Sequence, residues 1–266
     1  MWRSLRRWAQ AAILGGLAIA LTACGGDDDD AASSTRAPTA ELAGSITVFA
    51  ASSLTDAFTT LAEQFEEDHP SAEVVDNLNF AASSDLVGQI AEGAPADAFA
   101  SADEANMTKV VDSDGTAGDP VVFARNQLAI AVEPDNPLGI MSLADLADPD
   151  VRVVLCAETV PCGRFADEAL AAAGVRVSPV SREANVRDTL GKVGEADAAI
   201  VYATDVTSGT GIAGIEIPAH QNVIATLPIV AVKESANPEH ATEWVNYVTS
   251  PEAQQILTEE FGFLAP

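Results

Sequence analysis

Two serine pairs in this chain stand where a strand-like run meets the start of a helix. Ser52 and Ser53 follow the strand-like residues 46–51, which are β-branched and aromatic and end in two alanines, and an amphipathic segment begins directly after the serines. The same pattern recurs at Ser83 and Ser84. The first N–H groups of a helix lack intrahelical partners and lie at the positive end of its dipole, so they suit a bound anion. Two such junctions in one chain predict a shared anion-binding pocket.

Three further positions could supply hydrogen-bond donors to the same point. Residues 160–163 open a predicted helix that contains Cys162, and Asn185 is a candidate N-cap directly before Val186. Tyr202 ends an apolar, strand-like run. Each of these residues taken alone is more simply an ordinary cap or core residue. The hypothesis of an anion pocket therefore depends on all five junctions together.

Strands and helices alternate along the chain and must position these residues. Strands are predicted at 45–51, 73–80, 98–100, 127–132, 152–156, 198–202 and 227–232. Helices are predicted at 54–69, 85–92, 104–111, 163–173, 186–193, 238–249 and 251–261. The alternation predicts an α/β fold with largely parallel sheets. Ligands of such sheets bind beyond the carboxyl ends of the strands, which is where the serines lie.

Other site chemistries find little support in the sequence. It contains no Gly-x-Ser-x-Gly nucleophile motif and no His-Glu-x-x-His metal motif. The histidines His69, His220 and His240 are scattered and lie beside loop or helix-start signals. The glycines of residues 209–214 fit a dinucleotide-binding pattern, but they precede a strand-like run instead of a helix, so a loop is predicted there.

The N-terminus has the features of an export signal. Residues 1–23 combine arginines, no acidic residue and a short apolar run, which predicts a signal peptide. Residues 21–24, Leu-Thr-Ala-Cys, resemble a bacterial lipobox, which implies cleavage before Cys24 and a lipid on its sulfur. Residues 24–43 are predicted to form a flexible tether on the extracytoplasmic face of the cell membrane. An ordinary signal peptide with an incidental cysteine is the alternative.

The chain is strongly acidic. Its formal charge is −27, and removal of the signal peptide with its three arginines brings the charge near −30. This charge argues against nucleic acid and anionic membrane surfaces as partners. An anion could then be captured only by local donors.

Cys156 and Cys162 form a pair in a chain that the signal peptide predicts to be exported. A local disulfide is the leading interpretation, because disulfides persist outside the cytoplasm. Two free buried thiols are the alternative. A metal site is disfavoured, since no histidine stands at ligand spacing near the pair.

The chain closely resembles a known family over nearly all of residues 44–266. The motifs are ITVFAASSLT at 46–55, FAASS at 80–84, GAPADAFASAD at 93–103, VPCG at 160–163, NVR at 185–187, AIVYATD at 199–205 and FGF at 261–263. They resemble the periplasmic molybdate-binding proteins, the substrate-binding components of molybdate ABC importers. The resemblance implies a two-lobed type II periplasmic-binding-protein fold with two crossovers. Lobe 1 would hold residues 44–123 and 229–266, and lobe 2 would hold residues 124–228.

The resemblance also implies a ligand set. Ser53 and Ser83 would each give a hydroxyl and a backbone N–H, Cys162 and Val186 would give backbone N–H groups, and Tyr202 would give its phenol O–H. The oxyanion would be held by hydrogen bonds alone, with no metal cation as direct ligand and no cofactor. The better-known members carry alanine where this chain has Cys162, and a main-chain donor tolerates that change.

The function that follows is binding of molybdate, and of tungstate, for delivery to a membrane ABC permease by a monomeric, lipid-anchored protein that is not an enzyme. One alternative is a binding protein for sulfate or another tetrahedral oxyanion. Another is an exported hydrolase with Ser53 or Ser83 as nucleophile, and a third is a surface interaction protein with a vestigial pocket. Arg164 and Arg187 lie beside proposed contacts and are expected to face solvent, with a raised local potential as the alternative.

Overall fold

The computed structural model describes residues 42–266. The predicted signal peptide 1–23, the predicted lipidation site Cys24 and nearly all of the predicted tether 24–43 lie outside the described residues. Within residues 42–266, no helix is long and apolar enough to cross a membrane.

The described residues form eleven strands and eight α-helices. The strands are β1 Gly44–Ser45, β2 Val48–Ala51, β3 Ala72–Glu73, β4 Leu78–Ala81, β5 Ala98–Ala100, β6 Val121–Val132, β7 Val153–Cys156, β8 Ser181–Glu183, β9 Ala198–Tyr202, β10 Ala213–Glu216 and β11 Ile224–Ala231. The α-helices are α1 Thr55–Asp68, α2 Ser83–Ala91, α3 Glu104–Asp112, α4 Pro161–Ala173, α5 Val186–Leu190, α6 Ala203–Ser208, α7 Pro238–Val248 and α8 Pro251–Gln255. Short 3₁₀ turns lie at Ser52–Leu54, Val75–Asn77 and Leu143–Ala147, and a π-helical turn lies at Ile256–Glu260.

Two groups of parallel strands form the centre of the fold. In the N-terminal strand group β2 lies between β4 and β5, and in the central strand group β7 lies between β8 and β9. β6 and β11 connect the groups and run antiparallel to their neighbours. The α/β fold class is confirmed, but the sheets are mixed instead of largely parallel, because the connecting strands enter from the opposite direction.

β6 changes its partner half-way along its length. Its residues from Val121 to Gln127 pair with β11, whereas those from Leu128 onward pair with β9 and β10. At the change, the side-chain amide of Asn222 accepts from the Leu128 N–H and donates to the Leu128 carbonyl, each at 2.9 Å. The amide side chain therefore satisfies backbone groups where the strand leaves one neighbour for another.

Most predicted elements are confirmed, and the differences have physical causes. The strands at 98–100 and 198–202 have the predicted bounds. The strand predicted at 73–80 is divided into β3 and β4 by a 3₁₀ turn, and the helix predicted at 186–193 ends at Leu190. β8 and α6 were not predicted, because β8 has no apolar run and α6 contains poor helix formers.

An aromatic cluster anchors the helix that follows the first serine pair. Phe58 and Phe65 on α1 pack edge-on against Trp244 of α7, with ring centroids 5.9 and 5.4 Å apart. Phe58 also contacts Phe123 of β6 at 5.6 Å. Such aromatic pairs contribute beyond their buried area, so the start of α1 is held firmly in place.

Candidate functional site

All five predicted site residues line one pocket at the carboxyl ends of the parallel strands. Its lining residues are Ala51, Ser52, Ser53, Ala82, Ser83, Ala102, Val160, Pro161, Cys162, Asn185, Val186 and Tyr202. β2 and β4 of the N-terminal group lead into the two serines. β7, β8 and β9 of the central group lead into Cys162, Val186 and Tyr202. The two strand groups therefore face each other across the pocket.

Ser53 presents a buried hydroxyl that has no partner within residues 42–266. It lies in the 3₁₀ turn between β2 and α1 and is 6% exposed. Its Oγ makes no hydrogen bond with any described residue. Since an unpaired buried hydroxyl is costly, this atom is suited to donate to a ligand.

Ser83 is held in position by a neighbouring backbone group. It is the first residue of α2, and its Oγ accepts a hydrogen bond from the Ala102 N–H at 3.0 Å. Accepting that bond leaves the hydroxyl proton free to point into the pocket. The first backbone bonds at the start of α2 are donated by the Asp85 and Leu86 N–H groups to the Ala82 carbonyl, so the N–H of Ser83 is free of an intrahelical partner.

Ser83→Ala should lower both ligand affinity and folding stability. The change removes a donor to the ligand, which we expect to weaken binding by about 1–3 kcal/mol. It also leaves the buried Ala102 N–H without its acceptor, which we expect to lower the free energy of unfolding by about 1–2 kcal/mol. Calorimetric titration and urea unfolding of the same variant measure the two effects. An unchanged affinity would remove Ser83 from the site.

Cys162 lies in the first turn of α4, where the chain passes close to another backbone segment. Pro161 is the first helical residue, and the Arg164 N–H makes the first intrahelical bond to Val160. The Cys162 N–H therefore has no intrahelical partner and can donate into the pocket. A Cβ at Gly163 would lie 2.0 Å from the Ala157 carbonyl oxygen, so only glycine permits this approach.

Cys156 and Cys162 are joined by a disulfide that links the end of β7 to the start of α4. The bridge encloses a short loop, and Thr189 donates from Oγ1 to the Cys156 sulfur at 3.2 Å. The loop that presents the Cys162 N–H is thereby tied to the strand that precedes it.

Reduction of this bridge should destabilise the protein by about 2 kcal/mol, because the loop that it closes in the unfolded chain is short. Urea unfolding with and without reductant measures the loss. Intact mass after alkylation provides the control. Two freely alkylated thiols in the native, unreduced protein would contradict the bridge.

Val186 is the first residue of α5 and is 2% exposed. The Asn185 side chain caps the helix by accepting from the Asp188 N–H at 3.0 Å. The cap uses a later N–H of the turn, so the Val186 N–H remains available to the pocket.

Tyr202 ends β9 and presents a second buried hydroxyl without a partner in the described part of the chain. The residue is 2% exposed, and its phenol oxygen makes no hydrogen bond with any described residue. Burial, with the nearby carboxylates of Asp103 and Asp205, raises the pKa of the phenol well above its usual value. The group therefore stays protonated and can only donate to an anion.

The pocket surface itself is uncharged. None of the twelve described residues that line it is an Asp, Glu, Lys or Arg. Among residues 42–266, no three His, Cys, Asp or Glu side chains are grouped to hold a metal ion. An array of neutral donors favours an anion that carries no proton and therefore only accepts hydrogen bonds.

Arg164 and Arg187 do not simply face solvent, and that expectation is wrong. The Arg164 guanidinium pairs with the buried carboxylate of Asp103, and Arg187 pairs with Asp56. The Arg187 Nε also donates to the Ser52 carbonyl oxygen at 3.3 Å. No sequence signal pointed to these pairs, because the partners are 61 and 131 residues apart.

Asp205 is a further buried carboxyl that sequence analysis missed. It is 1% exposed, and its Oδ2 accepts from the Tyr202 N–H at 3.2 Å. Burial raises the pKa of this carboxyl to about 7, against the opposing effect of Arg187. Its position in the first turn of α6 was hidden because that helix was not predicted.

Comparison with known proteins decides the family. The model for the family "Bacterial extracellular solute-binding protein" matches residues 46–264. The Mycobacterium tuberculosis H37Rv protein named "Molybdate-binding protein ModA" is 40% identical over 253 residues, which cover 94% of this chain and 95% of the relative. The chain belongs to the bacterial extracellular solute-binding proteins and, within them, to the ModA family.

Solved structures agree with the fold of this ModA-family protein. The periplasmic molybdate-binding protein of Azotobacter vinelandii matches with a TM-score of 0.71 at 20% identity, covering 83% of this chain and 99% of that one. The sulfate-binding protein SubI of Mycobacterium tuberculosis matches with a TM-score of 0.70 at 20% identity, covering 83% and 86%. The predicted two-lobed type II periplasmic-binding-protein fold is therefore confirmed.

Proposed function

We propose that this chain binds molybdate outside the cytoplasmic membrane and delivers it to the permease of an ABC transporter. The observation that carries the proposal is that Ser53 and Tyr202 line a pocket of uncharged residues and that their buried hydroxyls have no hydrogen-bond partner within residues 42–266. Buried hydroxyls without partners call for an acceptor. The 40% identity to a relative named molybdate-binding protein supports the choice of anion.

The proposed contacts are hydrogen bonds alone. Ser53 and Ser83 donate through their hydroxyls and backbone N–H groups, Cys162 and Val186 through backbone N–H groups, and Tyr202 through its phenol. Molybdenum enters only as the oxyanion, with no metal cation bound by side chains and no cofactor. The protein acts as a transport component and not as an enzyme.

The array of hydrogen-bond donors also accounts for the choice of molybdate and tungstate over phosphate and sulfate. Molybdate and tungstate carry no proton at neutral pH, so every donor finds an acceptor. Hydrogen phosphate brings a proton that finds no acceptor, at a cost of about 1–3 kcal/mol. Sulfate is a pure acceptor as well, and its rejection depends on donors fixed too far apart to close on a smaller anion. A sulfate-binding protein shares this fold, which supports donor spacing as the source of the choice between the two anions.

We propose that lobe 1 comprises residues 44–123 and 229–266 and that lobe 2 comprises residues 124–228. The change of partner within β6 at Leu128 supports a crossover close to this boundary. The two serines then belong to lobe 1, and the other three contacts belong to lobe 2. Closure of the lobes on the anion unites the five contacts by a hinge motion, and the permease recognises the closed form.

We also propose that the mature, monomeric protein is anchored to the extracytoplasmic face of the membrane through a lipid on Cys24. The lipobox-like residues before Cys24 support this, and so does membership of an extracellular solute-binding family. Fractionation of cells that carry wild-type protein or Cys24→Ala tests it. The wild type should sediment with membranes and the variant should not. Equal distribution of the two would overturn the anchor.

Thermal unfolding with separate oxyanions tests the function. A ligand that binds only the native state stabilises it by about 2.7 kcal/mol at a hundredfold excess over its dissociation constant. Molybdate and tungstate should raise the melting temperature, and sulfate and phosphate should not. A shift with sulfate would change the assigned ligand, and no shift with any oxyanion would favour a vestigial pocket. Turnover of ester substrates would favour the hydrolase.

A further inference from the structure

Two arginines of the central strand group reach across the pocket to carboxylates beside the N-terminal strand group. Arg187 of α5 pairs with Asp56 in the first turn of α1, and Arg164 of α4 pairs with Asp103 at the start of α3. Among residues 42–266, these are the two ion pairs that join the groups, because the remaining pairs, including a second pair of Arg187 with Asp205 at 3.9 Å, join residues of the same group.

The Arg187 pair connects two proposed anion contacts. Arg187 directly follows Val186, and its Nε donates to the carbonyl of Ser52, which directly precedes Ser53. That carbonyl also accepts from the Thr55 hydroxyl at 2.7 Å, so the turn that holds Ser53 is fixed from both sides. The guanidinium thus links the segment that carries the Val186 N–H to the turn that carries the Ser53 hydroxyl. Arg187 itself is not among the residues that line the pocket.

The Arg164 pair connects two other contacts in the same way. Arg164 lies two residues after Cys162, and its partner Asp103 directly follows Ala102, whose N–H orients the Ser83 hydroxyl. Asp103 is itself held by its bond from the Asn106 N–H at 2.8 Å. Each arginine therefore joins one donor of the central group to one serine of the N-terminal group.

We propose that these two ion pairs act as a latch that holds the strand groups together around the anion. Arg164 and Arg187 are positioning residues, since neither lines the pocket, and each is neutralised by its carboxylate. The latch lowers the free energy of the closed form and so raises the fraction of binding-competent protein. This inference rests on the proposed function, because its main readout is oxyanion affinity.

The Asp56→Asn variant distinguishes loss of the latch from a long-range electrostatic effect on the bound anion, because the two predict opposite changes in affinity. Removal of a negative charge near a bound dianion would tighten binding if only long-range electrostatics acted. Loss of the latch should instead weaken binding, and we expect about a tenfold rise in the molybdate dissociation constant. Arg187→Gln should weaken binding by a similar factor. The ratio of molybdate to tungstate affinity should not change, because the donors are intact.

The chain offers a matched control within one strand group. Arg182 pairs with Asp167 and donates to the Cys156 carbonyl at 3.0 Å, and its side chain is 26% exposed against 27% for Arg187. Asp167 is 38% exposed against 40% for Asp56. Asp167→Asn breaks a similar pair that does not cross the pocket, so it should leave the dissociation constant within about twofold of wild type.

Calorimetry and small-angle X-ray scattering of the full mature chain decide the proposal. Asp56→Asn/Arg164→Gln should show a larger radius of gyration than wild type without ligand and the wild-type value with saturating molybdate. Unchanged or tighter binding by Asp56→Asn would overturn the latch, and so would weaker binding without expansion. If wild type binds no oxyanion, the proposed function fails. In that case the radius of gyration without ligand still tests the latch, because Asp56→Asn/Arg164→Gln should expand the protein and the control Asp167→Asn should not.

Discussion

The double variant Ser53→Ala/Tyr202→Phe should lose about 3–6 kcal/mol of molybdate binding free energy, because a hydrogen bond to a charged acceptor contributes about 1.5–3 kcal/mol. This corresponds to a roughly 10²- to 10⁴-fold weaker dissociation constant. Calorimetric titration measures the loss, with the single variants taking intermediate values. Both substitutions remove a hydroxyl and add no atom.

The same variant should not lose folding stability in the absence of ligand. Neither hydroxyl has a hydrogen-bond partner within the described residues, so no native bond is broken. A buried polar group without a partner is itself unfavourable, so the free energy of unfolding should be unchanged or higher. Ser83→Ala should behave differently, because its hydroxyl accepts a backbone hydrogen bond. Urea unfolding of ligand-free protein measures this contrast.

Matched controls come from outside the pocket. Tyr247 also has a buried phenol oxygen without a partner among the described residues, but it does not line the pocket. Ser84 is the half-buried neighbour of Ser83 and does not line the pocket. Tyr247→Phe and Ser84→Ala should therefore leave molybdate affinity unchanged. Wild-type affinity in the double variant, or an equal loss in these controls, would contradict the proposed donors.

Asp205→Asn should stabilise the ligand-free protein at pH 8 by on the order of 3–4 kcal/mol. Burial raises the pKa of Asp205 from 3.8 to about 7, so ionisation costs more free energy in the native state than in the unfolded state, and at pH 8 the wild type bears that full cost. The asparagine side chain resembles the protonated acid and can still accept the bond from the Tyr202 N–H. The Asp56 carboxylate remains as a partner for Arg187, whereas the 3.9 Å pair between Arg187 Nε and Asp205 Oδ1 is lost.

The pH range of this effect follows from the two pKa values. Below about pH 4 the Asp205 carboxyl is protonated in both the native and the unfolded state. Between about pH 4 and 7 only the unfolded state has released the proton, so the free energy of unfolding of the wild type falls as pH rises. Above about 7 both states are ionised and the difference is constant. Urea unfolding of wild type and variant at pH 4.5, 6 and 8 should show a growing difference.

Asp197→Asn provides a control of opposite sign. The Arg152 guanidinium lowers the pKa of the Asp197 carboxyl, so its contribution to stability is present at neutral pH and lost in acid. This variant should therefore be less stable than wild type at pH 8. A gain for Asp205→Asn that does not depend on pH would contradict the assignment of a raised pKa to Asp205.

Three of the five proposed contacts could be located in the sequence because they stand at the end of a predicted strand or directly after one, whereas Cys162 and Val186 were marked only by predicted helix starts. Ser53 and Ser83 stand at visible strand-to-helix junctions, and Tyr202 ends an apolar run with the predicted bounds. The carboxyl ends of parallel strands meet at one edge of a sheet, so junctions far apart in sequence were expected to converge. The structure brings all five residues into the lining of one pocket.

The rest of the site depends on pairings that a single sequence does not encode locally. The partners of Arg164 and Arg187 are brought near only by the folded arrangement of the two strand groups. β8 has no apolar run because it is a three-residue edge strand, so its alignment with β7 is a tertiary effect. Likewise, the burial of Asp205 follows from α6, whose helix is capped by that carboxylate and not by strong helix formers.

Calorimetric titration of the chain from Gly44 onward with molybdate, tungstate, sulfate and phosphate, each in a separate run, tests the central claim most directly. The proposed function predicts one tight site for molybdate and for tungstate, with no heat of binding from sulfate or phosphate. Binding of sulfate alongside molybdate would keep the pocket and overturn its selectivity. Absence of binding by all four anions would contradict the proposed function.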